Sequence, residues 1–338
     1  DLTSSSSNAS DTSASSSSSS NSSASSSSSS NSSASSSSNS SALDTSTSSS
    51  SNSSDLDIEL LDIAIKNADL VCSVFGEDKL HAAPGHEVVE MGLVKLYRVT
   101  GNEAYLKTAK YFIEERGHYK GYDPKSKDLM KNGAYWQDHI PVVDQREALG
   151  HAVRAGYLYA AVADIAALTG DKLMLLAIDS LWNNVVSKKL YVQGGAGAVG
   201  DGERYGENYE LPNATAYNET CAAIANVYWN QRMFQLHGDA KYIDVLEKIL
   251  YNGLIAGLQL DGKKFFYTNA MESTTKHNHK DFEGERSGWF ECSCCPTNMT
   301  RLLPSIPGYI YAQHANTIYV NLNMDMKVNS TKYLLMDL

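Results

Sequence analysis

From Asp55 onward, apolar and polar residues recur with the 3.6-residue period of α-helices. Three turn signatures punctuate this pattern: Thr100-Gly101-Asn102, Thr169-Gly170-Asp171 and His237-Gly238-Asp239. Each follows one long helical stretch and precedes another. Glycine suits the position just past a helix because it accepts left-handed backbone. Asn or Asp suits the start of the next helix because its side-chain oxygen accepts an unpaired backbone N–H. The three glycines recur with a period of about 70 residues, which predicts a repeat built from helix pairs. The first helix of each pair is the more apolar, as in Ala148-Leu149-Gly150-His151-Ala152-Val153 and on through Val162. The second is amphipathic, as in Tyr242-Ile243-Asp244-Val245-Leu246-Glu247-Lys248-Ile249-Leu250. A helix apolar all round is buried and an amphipathic one lies at the surface. Inner and outer helices in alternation predict an α/α toroid or barrel, with a linear solenoid as the rival.

The period changes after Pro304. Thr317-Ile318-Tyr319-Val320-Asn321-Leu322-Asn323-Met324 alternates in twos and is rich in strand-forming residues. Residues 309–338 therefore read as the beginning of a β domain, with too few strands to close a sheet. At the other end, residues 1–54 are almost entirely serine. They hold too little apolar surface to offset the entropy of ordering and are expected to form a disordered Ser-rich linker. The expected organisation is thus 1–54 linker, 55–308 helical domain and 309–338 first strands of a β domain.

Charge and length narrow the partners. The net charge of −11 comes with no basic patch, which argues against nucleic acid. No apolar run is long enough for a membrane span. The chain opens at Asp1 without a secretory signal, and its true N-terminus is expected upstream.

The chemistry concentrates in the cysteines. Of five, three crowd into Cys292-Ser293-Cys294-Cys295-Pro296, and a fourth stands in Glu219-Thr220-Cys221. Cys72, alone in an apolar stretch, reads as a core residue. Glu219, Cys221, Cys294 and Cys295 together offer one carboxylate and three thiolates, a donor set for tetrahedral zinc. Buried thiols, or a zinc staple without chemistry, are the rival readings. His86, His151, Glu219 and Cys221 lie 15 to 19 residues before their turn glycines. Matching repeat positions should bring them to one mouth of the barrel, although any one of them alone would read as a hydrogen-bonded core residue. The Gly-rich segment 194–203 lacks the Lys-Ser/Thr of a phosphate loop. It reads instead as a loop carrying acids over that mouth, with Glu203, Glu207 and Glu210 as candidates for a general acid. Tyr217, Trp229, Tyr267 and Trp289 are core aromatics by default and ligand-stacking residues otherwise.

Tyr217-Asn218-Glu219-Thr220-Cys221-Ala222 and Cys292-Ser293-Cys294-Cys295-Pro296-Thr297-Asn298 resemble the zinc-dependent cysteine glycosidases of glycoside hydrolase family 127, the β-L-arabinofuranosidases. Pro84-Gly85-His86-Glu87, Gly150-His151-Ala152-Val153-Arg154 and Leu211-Pro212-Asn213 add to the resemblance, which covers roughly residues 60–335. It implies an (α/α)6 barrel, incomplete here at its N-terminus, followed by a β-sandwich that is cut short. It also implies a retaining hydrolase releasing L-arabinofuranose from β-L-arabinofuranosides. Carried over by position, Cys294 is the nucleophile and Glu203 the general acid/base. Zn2+ is held by Glu219, Cys221, Cys294 and Cys295. His86, His151, Tyr267 and Glu219 line the sugar pocket.

This sequence also departs from the family's pattern. The family's barrel begins earlier, with a helix bearing a further sugar-contacting histidine, and the Ser-rich tract stands where that helix should be. The expectation is therefore a fragment or a mispredicted gene product. Two alternatives accompany the main functional reading: a sibling glycosidase acting on another pectic sugar, and an inactive zinc- or carbohydrate-binding remnant. Arabinose-containing plant glycans or glycoproteins are the expected partners, and a homodimer the expected assembly if there is one. An extracellular location fits the linker, with the cytoplasm as the alternative. Asn213, Asn218 and Asn298 head glycosylation sequons but fall in the site region, where a glycan would obstruct it.

Overall fold

A computed structural model describes residues 51–272, 285–325 and 336–337. The Ser-rich tract up to residue 50 lies outside the described residues. The first helix, α1 (Ser51–Val74), takes in residues 51–54 of the expected linker. Three helix pairs follow: α2 (Val89–Thr100) with α3 (Glu103–Glu115), α4 (Ala152–Thr169) with α5 (Lys172–Asn184), and α6 (Thr220–His237) with α7 (Ala240–Lys248). The turns are the three signatures. Gly101, Gly170 and Gly238 have φ of 72°, 68° and 66°, left-handed values that favour glycine. Asn102 accepts Ala104 N–H at 3.1 Å, Asp171 accepts Leu173 N–H at 2.9 Å, and Asp239 accepts Lys241 N–H at 3.0 Å.

α4 and α6 form the centre. Tyr157, Leu158, Tyr159 and Ile165 of α4 and Ala222, Ile224, Trp229 and Phe234 of α6 are buried, and the Tyr159 and Trp229 rings meet at 4.9 Å between the two helices. Their close approach depends on Gly156, where an added Cβ would come 2.7 Å from the Ala225 Cβ. α5 and α7 are amphipathic and outer, with Leu173 and Leu176 left exposed on α5. α2 differs from the other first helices. Only one of its faces is buried, through Glu90, Met91, Leu93 and Val94. Gly92, Lys95 and Val99 instead line an apolar groove against Ala64, Ala68 and Val71 of α1. Asp164, buried in α4, fastens the three inner helices. It accepts Arg232 Nε of α6 at 2.6 Å and Arg98 of α2 at 3.0 Å.

A short helix, α8 (Cys294–Leu302), precedes a tight turn of helix over Leu303–Tyr309. Three strands follow: β1 (Tyr311–His314), β2 (Thr317–Val320) and β3 (Met336–Asp337). β1 lies between an antiparallel β2 and a parallel β3, with Tyr311 opposite Val320 and Ala312 opposite Met336. Strand structure on β2 ends at Val320, short of the expected Met324, and its Ile318 and Val320 are exposed. The described part of the chain is mainly helical. None of its helices is long and apolar enough to cross a membrane.

Candidate functional site

The site is assembled at the N-terminal ends of three helices. Glu219 occupies the N-cap of α6, but its carboxylate does not cap the helix. It turns instead toward the sulfurs, with Oε1 accepting from Cys294 Sγ at 3.5 Å and Cys295 Sγ at 3.7 Å. Cys221 sits in the first turn of α6, and Cys294 and Cys295 open α8. The positive ends of two helix dipoles therefore face the thiols, which favours thiolate. Cys221 and Cys295 sulfurs are 3.4 Å apart, and Cys294 and Cys295 sulfurs 3.8 Å. All are free thiols.

The donor set has the spacing of a group that could hold a metal ion. Glu219, Cys221, Cys294 and Cys295 each offer one atom, and the four atoms lie within 4.8 Å of one another. Sulfurs bound tetrahedrally at about 2.3 Å from a common centre stand about 3.8 Å apart, close to the spacing of these thiols. Glu219 Oε2 is buried with no hydrogen bond of its own, an arrangement that a cation would relieve. Burial and then the Cys294 charge push the Glu219 carboxyl up strongly. Hydrogen bonds from the Cys221 and Cys295 thiols hold Cys294 far below the usual thiol range, and Tyr267 adds to them. Burial pushes Cys295 the other way.

The other side of the site is the Glu203 carboxylate. It lies on a short hairpin in which Val199 and Arg204 exchange backbone hydrogen bonds at 3.0 and 3.1 Å. Tyr205 N–H then bonds Gly150 O at 3.0 Å, which ties the loop to the start of α4. Gly202 and Glu203 both take left-handed backbone, with φ of 71° and 52°, a strained choice for a glutamate. His151 is the N-cap of α4, and its Nδ1 accepts Val153 N–H at 3.2 Å. The neutral ring therefore carries its proton on Nε2, which donates to Glu203 Oε2 at 2.7 Å. Tyr217 donates its hydroxyl to Glu203 Oε1 at 2.6 Å. His151, Glu203 and Glu219 come within 4.8 Å of one another, so Glu219 adjoins both the thiols and the acid.

The remaining expected residues fall around this centre. The Tyr267 hydroxyl and Cys294 Sγ are hydrogen-bonded at 3.2 Å. The His86 ring stands 6.2 Å from that of His151. It reaches solvent yet is crowded by protein, and this desolvation, then the Arg154 charge, lowers its pKa. Glu207 and Glu210 are exposed loop acids, and Glu210 accepts the Glu207 N–H at 2.7 Å. Trp229 is core and Trp289 is 63 % exposed. Cys292 is exposed and Cys72 buried. Asn218 and Asn298 are buried, so a glycan on either would not fit the folded chain.

Three residues to which the sequence assigned no definite role also stand at the site. Asn298, one turn along α8 from Cys294, donates to Cys221 Sγ at 3.0 Å while accepting Arg301 at 2.8 Å. Arg154 lays its guanidinium over the Tyr135 ring at 4.9 Å, with Nε and one terminal nitrogen buried and not hydrogen-bonded. Tyr217 is the carboxylate partner described above. The one local signal was the i, i+4 relation of Cys294 to Asn298, which puts both on one face of a helix.

Comparison with known proteins identifies the family. The model of the β-L-arabinofuranosidase catalytic domain of glycoside hydrolase family 127 matches residues 56–308. The non-reducing end β-L-arabinofuranosidase of Bifidobacterium longum subsp. longum is 39% identical over 272 residues, covering 75% of this chain and 41% of that protein. The crystal structure of a family 127 β-L-arabinofuranosidase from Geobacillus stearothermophilus T6 superposes with a TM-score of 0.72 at 44% identity. It covers 78% of this chain and 44% of that one. A further family 127 β-arabinofuranosidase structure gives 0.69 at 52% identity, over 78% of this chain and 39% of its own. The chain spans about two fifths of the length of these relatives. With its catalytic-domain model matched over most of the chain, this protein belongs to glycoside hydrolase family 127.

Proposed function

We propose that the chain carries a retaining glycoside hydrolase site that releases L-arabinofuranose from β-L-arabinofuranosides of plant glycans or glycoproteins. One observation carries this reading. Within a cluster whose other donors, Glu219, Cys221 and Cys295, are buried, Cys294 alone is partly open to solvent. Hydrogen bonds from its neighbours also lower its pKa below the usual thiol range. A reachable thiolate beside a fixed carboxylic acid is the pairing a two-step displacement needs. Two of the relatives named above are called β-L-arabinofuranosidases, which supplies the sugar.

In this scheme the Cys294 sulfur attacks the anomeric carbon. Glu203 passes its proton to the glycosidic oxygen, which leaves with the bonding electrons. Glu203 then takes a proton from water, and the hydroxide so formed displaces sulfur from the sugar. Tyr267 steadies the sulfur through its hydrogen bond, and His86 and His151 border the sugar site. A zinc ion held by Glu219, Cys221, Cys294 and Cys295 would keep the thiols deprotonated at neutral pH and make sulfur easier to displace. The finer architecture that accompanies this reading is a barrel of six helix pairs followed by a β-sandwich. An extracellular setting, on a Ser-rich linker, goes with a polysaccharide substrate.

The test is hydrolysis of an aryl β-L-arabinofuranoside together with zinc content. The wild type should turn over and hold one zinc. Cys294→Ser should lose activity on the order of 1,000-fold or more, and Cys221→Ala should lose the metal. A wild type that holds zinc but hydrolyses no furanoside would leave the inactive remnant as the better reading. Full zinc occupancy in Cys221→Ala would contradict the ligand assignment.

A further inference from the structure

We propose that Tyr217 is a positioning residue for Glu203, which fixes the carboxylate so that its proton sits on Oε1, and that Tyr217 thereby sets how poor a leaving group the site can cleave. The inference rests on the reading of Glu203 as acid/base. Its physical basis is the inequality of the two contacts on that carboxylate. His151 Nδ1 is committed to the Val153 N–H at 3.2 Å, so Nε2 can only donate to Oε2, at 2.7 Å. Oε2 must therefore remain an acceptor whether or not Glu203 is protonated. The proton of the acid form then belongs on Oε1, which faces the Tyr217 hydroxyl at 2.6 Å. A hydroxyl can serve both states, since it donates to a carboxylate and turns to accept from, or yield to, a carboxylic acid. An N–H cannot.

Tyr217 is well held for this task. It is 2 % exposed. Its N–H bonds Ala198 O at 3.3 Å, and its carbonyl accepts Asn269 N–H at 3.1 Å. Its ring meets that of Tyr267 edge-on at 6.4 Å, and Tyr267 in turn bonds Cys294. The same residue thus borders the acid half and the sulfur half of the site. Without that hydroxyl, Glu203, a loop residue of strained backbone, would lose a bond that fixes its Oε1. The carboxylate would be held less firmly in the orientation that faces the glycosidic oxygen.

General-acid help matters in proportion to the leaving group's basicity, because a good leaving group departs without a proton. The test is Tyr217→Phe assayed on methyl β-L-arabinofuranoside and on its 2,4-dinitrophenyl counterpart. The readout is kcat/KM, which reports the step through first bond cleavage, with zinc content measured alongside. The expected result is a loss of about 10–100-fold on the methyl glycoside and less than about 3-fold on the dinitrophenyl glycoside. Equal losses on both, or none on either, would overturn the proposal. A neutron structure of the wild type gives an answer that needs neither turnover nor a folded variant. It should show hydrogen on His151 Nε2 directed at Oε2 and the Tyr217 hydroxyl on Oε1. A bare Nε2, or a Glu203 carboxylate turned from Tyr217, would overturn it. If the wild type cleaves neither glycoside, the acid/base reading fails, and the neutron structure alone still decides whether Tyr217 holds Glu203.

Discussion

At the scale of single residues, the site differs from its surroundings by the charges it keeps out of water. The Cys221, Cys294, Cys295 and Glu219 group would be costly to bury as four uncompensated anions, and its four donor atoms lie close enough together for a cation to offset them. A second buried set, Glu87, Glu90 and Arg116, has no such completion. Two buried carboxylates share one guanidinium, with Arg116 contacting Glu87 at 3.0 Å and Glu90 at 3.5 Å. Burial pushes Glu87 up to about 8, against the pull of Arg116. Between the unfolded carboxylate value of about 4.3 and about 8, the native state holds a proton that the unfolded chain releases. Stability from this group is therefore complete below that window and is lost as pH rises through it, with a slope of at most about 1.4 kcal/mol per pH unit. Glu87→Gln should flatten the dependence, giving a variant that gains on the wild type as pH rises from 5 to 8. Parallel urea-unfolding curves for the two proteins across that range would contradict it.

At the scale of elements, the helix pairs were legible because their ends are written in local chemistry. Gly101-Asn102, Gly170-Asp171 and Gly238-Asp239 name both the stop and the start, and each does so in the structure through left-handed backbone and a side-chain cap. The candidate site was legible in its cysteines and in Glu219, since metal-donor residue types stand out at short spacing. Tyr217 and Arg154 were not, because their roles arise from contacts across long stretches of chain. Tyr217 reads in sequence as one more core aromatic, and only the fold brings its hydroxyl to Glu203. α2 is less buried than α4 and α6, with its Gly92, Lys95 and Val99 lining the groove against α1. The contact between α4 and α6 carries its own prediction. A side chain at Gly156 meets Ala225 at 2.7 Å, so Gly156→Val should push the two central helices apart and cost about 1–3 kcal/mol. Urea unfolding measures it, and a variant as stable as the wild type would show that the helices can separate freely there.

At the scale of the molecule, α2, α4 and α6 bring His86, His151 and Glu219 to a common end, so the site depends on those three helices keeping their mutual positions. Asp164 links all three helices through Arg98 and Arg232. Arg232 is 7 % exposed, and Asp164→Asn leaves its charge without a counter-ion in the core. Breaking a buried pair in this way costs about 3–5 kcal/mol. The expected outcome is a large drop in thermal midpoint with loss of activity, although Asp164 lies at the opposite end of α4 from His151. A midpoint unchanged by the substitution would mean that packing alone sets the helix positions.

The claim on which everything else turns is that Cys294 sulfur forms the bond to the sugar. Glu203→Gln can still let an activated aryl group depart but cannot deprotonate water, so it should trap the glycosylated enzyme. Mass spectrometry of that variant after mixing with 2,4-dinitrophenyl β-L-arabinofuranoside should find one pentosyl unit per chain, on the peptide containing Cys294. A pentosyl unit on any other residue, or stoichiometric release of dinitrophenol with none on the protein, would contradict the account.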